Sequence, residues 1–199
     1  MKNINQEELK KILQKHEMWL KGEEGGERAN LKNAYLSYAS LRGINLSYAD
    51  LSYANLSGAY LWDADLIDVD LSGANLKNAD LIGIKINIHT IGYNLACPEE
   101  GSFIGYKTAG KYLIKLLILE DAKRSSATTA KCRCNKAKVL DIEDIKTGLK
   151  VQAVNSSYDY QFIYRVGEIV TVDDFDEDRW NECSTGIHFF MNRENAINY

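Results

Sequence analysis

The sequence predicts a mainly β protein in which a short solenoid of five-residue units is followed by a small, β-rich α+β domain. The first observation is a leucine at every fifth position from Leu31 to Leu81, a spacing that Ile86 and Ile91 extend. The second is a small or β-branched apolar residue two positions before each leucine, as Ala29 stands before Leu31. The third is the loss of this spacing near residue 93. A period of five fits neither an α-helix nor a flat strand, so an internal repeat explains it.

The order of residues within one unit indicates which side chains face inward. If each unit forms a short extended side and a turn, the leucine and the small residue point into the coil and the residue between them points out. Four sides per coil would stack Leu31, Leu51, Leu71 and Ile91 along one interior edge. A three-sided coil also satisfies a period of five, so the spacing alone leaves the number of sides open.

These units resemble the pentapeptide-repeat family, whose pattern is A(D/N)LXX. The resemblance is carried by the consecutive units ANLKN, AYLSY, ASLRG, INLSY, ADLSY, ANLSG, AYLWD, ADLID, VDLSG, ANLKN and ADLIG. It implies a right-handed quadrilateral β-helix, which selects four sides and gives about three coils over residues 28–92. Ile44, Val69 and Ile84 depart from the pattern by replacing alanine.

Residues 1–27 are expected to form a capping helix and a hinge into the first coil. Asn5 is suited to the N-cap with Glu8 three positions later, and Gly22 ends a helix over residues 6–21. The apolar face of this helix comprises Leu9, Ile12, Leu13, His16 and Leu20. A cap would cover the apolar interior at the end of the solenoid, and a partner-binding helix is the alternative.

Residues 93–199 have the alternating apolar pattern and the turn residues of a separate β-rich domain. The expected strands are 102–107, 111–119, 131–142, 149–154, 161–166, 168–172 and 186–191. A short helix over 193–198 is expected to close the chain.

This second part resembles an uncharacterised domain that follows short pentapeptide repeats in phage and bacterial proteins. The strings that carry the resemblance are CPEEGSFIGYK, DAKRSSATTAKCR, KAKVL and RWNECSTGIHFF. The resemblance implies the domain boundary and a phage or mobile-element setting, and it implies no activity.

Composition narrows the classes of function. A chain of 199 residues with 45% apolar content suits one or two small domains. The net charge of -4 argues against nucleic acid as a partner. No apolar run is long enough to cross a membrane, and the N-terminus lacks the apolar core of a signal peptide. With four cysteines and no export signal, we expect a cytoplasmic protein.

A basic window at residues 123–138 is the candidate ligand site of the second domain. It holds six basic residues and no acid, with hydroxyl side chains among them. Such a run is suited to cradle a phosphate-bearing ligand, and a solvated strand and loop is the alternative. The candidate ligand-binding residues are Lys123, Arg124, Ser125, Ser126, Arg133 and His188.

Two patterns of reactive residues do not establish a site. Cys183 and His188 would suit a nucleophile and a base, but five positions of separation do not establish contact, and both also suit packing around a half-buried strand. The four cysteines, Cys97, Cys132, Cys134 and Cys183, could be considered as zinc ligands, but the C-x-C spacing of Cys132 and Cys134 is not that of a zinc site. We therefore expect no catalytic residue, no metal and no cofactor.

Outward aromatic residues on the repeats suggest a contact surface, and simple packing at the corners of the coil is the alternative. The candidate surface comprises Tyr35, Tyr38, Tyr48, Tyr53, Tyr60 and Trp62. Arg42 and Trp62 are twenty residues apart and are expected to stack as a cation–π pair. An acidic strip at Asp63, Asp65, Asp68 and Asp70 is interpreted as ordinary solvated surface, and a contact with a cation or a basic partner is the alternative.

Together these features predict a non-enzymatic binding protein whose solenoid and second domain recognise a protein partner. The alternative is that the second domain binds, or turns over, a small phosphorylated metabolite or nucleotide signal. The sequence leaves open whether the chain forms a homo-oligomer.

Overall fold

The computed structural model describes residues 1–199, and the chain divides into two compact units, Met1–Asn94 and Leu95–Tyr199. The second unit consists mainly of β-strands, and the repeats of the first unit are joined by isolated β-bridges. Neither of the two helices has the length and apolar content needed to cross a membrane.

The first unit starts with strand β1 (Lys2–Asn3) and helix α1 (Gln6–Leu20). The Asn5 side chain accepts a hydrogen bond from the Glu8 N–H at 2.8 Å, as expected of an N-cap. Gly22 adopts a φ of +70°, which suits the residue after a helix C-cap. The predicted helix is therefore confirmed.

One side chain of α1 is completely buried. His16 is 0% exposed, and its Nδ1 accepts a hydrogen bond from the Ala29 N–H at 3.2 Å. Its ring stacks on Trp19 with centroids 5.7 Å apart. Burial lowers the pKa of His16, so the imidazole is neutral at pH 7. The other apolar residues of the predicted face are half-buried.

The repeats form a ladder of parallel bridges between residues twenty positions apart. Asn30 pairs with Asp50 and Asp50 with Asp70, and strand β2 (Ala34–Tyr35) extends the ladder to β1. Every leucine of the repeat from Leu31 to Leu76 is at most 3% exposed. The leucines and the small residues therefore fill the interior, as the five-residue unit predicts.

Every unit ends in a turn that requires left-handed backbone. The N–H of the small residue donates to the carbonyl of the preceding leucine, as Ala34 does to Leu31 at 3.0 Å. The residue before the small one has a positive φ, which a type II turn requires at its third position. These residues are Asn33, Tyr38, Gly43, Tyr48, Tyr53, Gly58, Asp63, Asp68, Gly73, Asn78 and Gly83. Three of them are tyrosines, a residue type that disfavours this conformation.

The asparagines and aspartates before the leucines cap these turns. In each case the side-chain Oδ1 accepts a hydrogen bond from the N–H two residues later, as Asp50 does from Ser52 at 2.9 Å. The capping residues are Asn30, Asn45, Asp50, Asn55, Asp65, Asp70, Asn75 and Asp80. Two members of the acidic strip are such caps, and the other two hold left-handed turn positions, so the backbone accounts for all four.

Ile91 does not join the interior edge that Leu71 was expected to share with it. Ile91 pairs with Asp70, a spacing of twenty-one instead of twenty, and its side chain is 56% exposed. One additional residue in the turn before Ile91 shifts the register. Thr90 is buried there, and its hydroxyl donates to the Leu66 carbonyl at 2.9 Å. The prediction of a stacked Ile91 was wrong because the five-residue spacing ends one turn before Ile91.

The second unit contains nine strands and one helix. The elements are β3 (Phe103–Ala109), β4 (Tyr112–Ile118), β5 (Arg124–Ser126), β6 (Lys131–Cys134), β7 (Lys136–Asp144), β8 (Ala153–Asn155), β9 (Ile163–Arg165), β10 (Ile169–Thr171), β11 (Ile187–Phe190) and α2 (Arg193–Asn198). The predicted strand at 131–142 is two strands, separated at Asn135, and β5 was not predicted. The remaining predicted strands are present with shifted ends, and α2 has the predicted ends.

Seven of these strands form one antiparallel sheet in the order β10-β7-β4-β3-β11-β6-β5, and β8 pairs with β9. The larger core includes Ile114, Cys132 and Phe189. The smaller core packs α2, through Ala196, against Leu113 of β4 and Phe190 of β11.

Replacing Gly58 by alanine tests how much the repeat depends on close packing between coils. A Cβ at Gly58 would lie 2.5 Å from the Tyr38 ring, and φ is +65°. At Gly43 φ is +63° and the space is open. We expect Gly43→Ala to cost about 1 kcal/mol from backbone strain alone, and Gly58→Ala to cost about 1 kcal/mol more. Urea unfolding measures both, and equal losses would contradict the packing argument.

Candidate functional site

The second unit contains a cleft of about 660 Å³ in which basic and reactive side chains lie together. Its lining includes Lys107, Lys131, Cys183, His188 and Tyr199. Lys107 lies near the end of β3, Lys131 begins β6, and His188 is in β11. Cys183 lies in the loop before β11. The cleft thus joins residues that are far apart in the sequence.

Lys107 is a buried cation without a carboxylate partner. It occupies an inward position of β3, where alternate residues face the core, and is 8% exposed. Its Nζ donates to the Thr108 carbonyl at 3.3 Å and lies 4.7 Å from the centroid of the Tyr164 ring. No aspartate or glutamate is within ion-pair distance of Lys107. Burial lowers the pKa of Lys107 to about 8, so the ammonium dominates at pH 7.

Lys131 is also buried, with a side chain that is 4% exposed, but its ammonium has partners. Its Nζ donates to the Tyr199 hydroxyl at 3.0 Å and to the Cys183 sulfur at 3.4 Å, and Glu182 Oε2 lies 3.9 Å away. Burial by itself lowers the pKa of Lys131, but the bond to Tyr199 and the Glu182 carboxylate outweigh it and raise the pKa above its usual value. Lys131 is therefore a fixed positive charge.

His188 is held neutral beside these cations. Its Nε2–H donates a hydrogen bond to the Ser184 carbonyl at 2.8 Å, and this leaves the lone pair on Nδ1. Burial lowers the pKa of His188, and the nearby charges of Lys131, Arg133 and Lys107 lower it further. His188 therefore adds no positive charge to the cleft at pH 7.

The walls of the cleft combine aromatic and acidic side chains. Phe162 and Tyr164 both line it and contact each other edge to face, with ring centroids 5.1 Å apart. Three aspartates, Asp159, Asp173 and Asp174, also line it, but they are exposed to solvent, whereas the two lysines are buried. The two buried charges of the cleft are therefore both positive.

Of the six residues proposed from the sequence as ligand-binding, His188 is the one that lines the cleft. The guanidinium of Arg124 instead donates to backbone carbonyls. The acceptors are the carbonyls of Pro98, Gly101, Leu119, Glu120 and Ala122. These five hydrogen bonds link the loop before β3 to the loop before β5.

Arg133 has a similar arrangement and is 1% exposed. Its guanidinium donates to the carbonyls of Asp176, Asp178 and Thr185, so it anchors the loop that carries Cys183. Arg133 faces His188 across the β6–β11 pair.

The three remaining residues proposed from the basic window lie apart from the cleft lining. Lys123 is exposed and forms an ion pair with Glu177. The Ser126 hydroxyl accepts a hydrogen bond from the Ala96 N–H at 2.8 Å, and Ser125 is buried with an unpaired hydroxyl.

Sequence reasoning missed Lys107 and left Lys131 out of the proposed site. The signal for Lys107 was present, because the strand alternates and a lysine stands at an inward position between Gly105 and Ala109. Lys131 lies in the basic window, but its contacts with Cys183 and Tyr199 cross more than fifty residues and have no local signature.

The four cysteines do not form one cluster. Cys97, Cys132 and Cys134 are buried, and Cys183 is exposed. The chain contains no group of three or more histidine, cysteine, aspartate or glutamate residues arranged to hold a metal ion. Cys183 contacts Lys131, and His188 hydrogen-bonds to Ser184.

The aromatic residues proposed as a contact surface on the repeats are exposed. The five tyrosines are between 48% and 73% exposed, and Trp62 is 36% exposed. Arg42 lies 3.7 Å from the Trp62 ring centroid, which confirms the predicted cation–π pair. The rings of Tyr38 and Tyr53 pack over Gly58 and Gly73, twenty residues later.

Comparison with known families identifies both parts of the chain. The Family of unknown function (DUF5758) matches residues 93–196. Pentapeptide repeats, in eight copies, match residues 27–63 and 54–86. Among curated proteins, none matches the chain.

Two solved structures are similar to the repeat part. One is a pentapeptide repeat protein (Rfr23) from the cyanobacterium Cyanothece 51142, with 40% identity over 31% of this chain and 42% of that one and a TM-score of 0.31. The other is alr5209, a pentapeptide repeat protein from Nostoc Pcc 7120, with 31% identity over 39% of this chain and 80% of that one and a TM-score of 0.19.

Adjacent substitutions in the basic window distinguish a structural arginine from a ligand-binding one. Arg124→Met removes the donors to five carbonyls and is expected to lower the free energy of unfolding by about 2 kcal/mol or more. Lys123→Met removes an exposed ion pair and is expected to change it by less than about 1 kcal/mol. Urea unfolding of both variants measures this difference. A fully stable Arg124→Met variant would contradict the structural role.

Proposed function

The chain belongs to the Family of unknown function (DUF5758) and carries pentapeptide repeats, and from this premise we propose that it is a binding protein whose second unit holds a small anionic ligand. The observation that carries this proposal is Lys107, a buried ammonium that lines the cleft and has no carboxylate within ion-pair distance. Burying an unpaired charge costs free energy, and an anion from solution would compensate it.

The form of the cleft supports a ligand with an anionic group and an aromatic or apolar body. A volume of about 660 Å³ lies in the range of small-molecule sites. Lys107 and Lys131 supply positive charge, and Phe162 and Tyr164 supply an aromatic wall. A phosphorylated metabolite or a nucleotide combines both properties.

Replacing Lys107 by methionine tests this function. Binding of inorganic pyrophosphate and of adenosine monophosphate, measured by calorimetry, should be lost, while the unliganded variant should melt at a higher temperature because a buried unpaired charge is gone. Binding should also weaken as the pH rises above about 8, since the Lys107 ammonium then loses its proton. Lys146→Met, at an exposed position, is the control and should bind as the native protein does. Binding that survives Lys107→Met would contradict the assignment.

For the repeats, we propose the finer architecture that the five-residue unit suggests. Bridges between residues twenty positions apart support a four-sided right-handed coil of about three turns over residues 28–92. The burial of His16 against Ala29 supports the role of α1 as a cap on the first coil. A cytoplasmic location remains a prediction from the sequence.

A second candidate function is recognition of a protein partner through the aromatic surface of the repeats. The observation that favours it is the placement of three exposed tyrosines, Tyr38, Tyr48 and Tyr53, in left-handed backbone. A residue that disfavours its own backbone conformation is often retained for a function. Tyrosine is also enriched in protein interfaces.

Paired substitution of Tyr35 and Tyr60 tests this second function. Neither residue is at a left-handed position, so Tyr35→Ser with Tyr60→Ser should leave the melting temperature unchanged. A protein that co-purifies with the native chain, identified by mass spectrometry, should no longer co-purify with this double variant. It should still co-purify with the control variant, which carries Lys32→Ser and Lys77→Ser on the same repeats. Retention by the tyrosine variant would exclude this surface.

A further inference from the structure

We infer that the ligand of the cleft is a zwitterion, a small molecule with a phosphate at one end and a cationic amine at the other. This inference rests on the proposed function, because it takes the buried lysines as the site of the anionic group. It adds the chemical class of the opposite end of the ligand, which the two lysines do not determine.

The first observation is that the positive and negative charges of the cleft differ in depth. Lys107 and Lys131 are 8% and 4% exposed. Asp159, Asp173 and Asp174 line the same cleft and are exposed to solvent. A ligand that carries only negative charge would be attracted by the lysines and repelled by the aspartates. A ligand with a charge of opposite sign at each end complements both sets.

The second observation is that the three aspartates have no cationic partner in the chain. Their carboxylates take part in none of the ion pairs of the structure. Other acidic residues of the second unit do have partners, since Asp121, Asp141 and Glu177 each pair with a lysine. The aspartates of the cleft are therefore free to neutralise a cation from solution, and the buried Lys107 orients such a ligand with its phosphate inward.

The third observation is that the aromatic rings of the cleft divide in the same way. Lys107 Nζ lies 4.7 Å from the centroid of the Tyr164 ring, and Lys131 Nζ lies 5.1 Å from that of the Tyr199 ring. Tyr158 also lines the cleft, but it is 91% exposed and takes part in no cation–π pair or ring contact. An open aromatic ring beside carboxylates suits a quaternary ammonium group.

The loop between β8 and β9 holds this ring next to one of the carboxylates. Tyr158 and Asp159 are consecutive, and both line the cleft. The loop is ordered by local hydrogen bonds, since Asn155 Nδ2 donates to the Tyr160 carbonyl at 2.6 Å and the Gln161 N–H donates to Asp159 Oδ1 at 2.9 Å. The second carboxylate oxygen of Asp159 is therefore available to the cationic end of a ligand.

The test compares two phosphate esters that differ in one charge. Calorimetry on the full chain at pH 7.5 measures binding of phosphocholine and of 3,3-dimethylbutyl phosphate, in which a carbon replaces the ammonium nitrogen, with inorganic pyrophosphate in parallel. We expect phosphocholine to bind at least about tenfold more tightly than its neutral isostere. Equal affinities would overturn the zwitterion, while pyrophosphate binding that is lost in Lys107→Met would still support the proposed function. No binding of any of the three would overturn both.

Substitutions at exposed positions locate the cationic end without disturbing the fold. Asp159→Asn combined with Asp174→Asn should remove most of the preference for phosphocholine, and binding of 3,3-dimethylbutyl phosphate should be no weaker. Tyr158→Leu should also reduce the preference. Glu100→Gln, an exposed carboxylate outside the cleft lining, is the control and should keep the native preference. A preference that survives both the double aspartate variant and Tyr158→Leu would overturn this placement of the ammonium.

Vesicles distinguish a soluble ligand from a lipid headgroup with the same two charges. The phosphate end of the ligand lies at the buried lysines, so a diacylglycerol attached to that end would have to enter the cleft first. We therefore expect no co-sedimentation of the chain with phosphatidylcholine vesicles. Co-sedimentation that free phosphocholine abolishes would overturn the soluble ligand.

Discussion

The repeat unit depends on one backbone constraint, a left-handed residue at every fifth position from Asn33 to Gly83. Without it the chain cannot turn at the end of each short side, and residues twenty positions apart cannot pair. Glycine, asparagine and aspartate meet the constraint at low cost, and they occupy eight of the eleven positions. The same constraint makes the tyrosines at the other three positions informative, because local backbone preference does not account for them.

The second unit uses its buried cations in two different ways. The guanidiniums of Arg124 and Arg133 are surrounded by backbone carbonyls and stabilise loops. The ammonium groups of Lys107 and Lys131 instead reach the cleft. A planar guanidinium with five donors can join several carbonyls at once, whereas a lysine leaves a compact charge available to a ligand. The loops that the arginines order include the one that carries Cys183 and contributes to the lining of the cleft.

Much of the fold could be predicted from the sequence, because its signals are local. The leucine spacing gives the repeat, Asn5 and Gly22 give the ends of α1, and alternation gives most strands of the second unit. Strand β5 was missed because Arg124–Ser126 is short and has no apolar alternation. The division of the strand at 131–142 depends on Asn135, whose backbone bonds to both Lys123 and Val172, and such long-range pairing has no sequence signature.

The candidate site was only partly predictable, for a related reason. A run of basic residues shows where charge lies along the chain but not what each side chain contacts. His188 was chosen from the sequence and does line the cleft, whereas Arg124 was chosen and faces carbonyls. Lys131 and Cys183 are fifty-two residues apart and meet through the pairing of β6 with β11.

The regular pairing of the repeats ends at the buried Thr90. Its hydroxyl bonds to the Leu66 carbonyl, and the register beyond it is shifted by one residue. A further unit with the right composition would then present its leucine to solvent and its polar residue to the interior. The height of the repeat stack is therefore encoded in the backbone register of a single turn and not in the composition of the units that precede it.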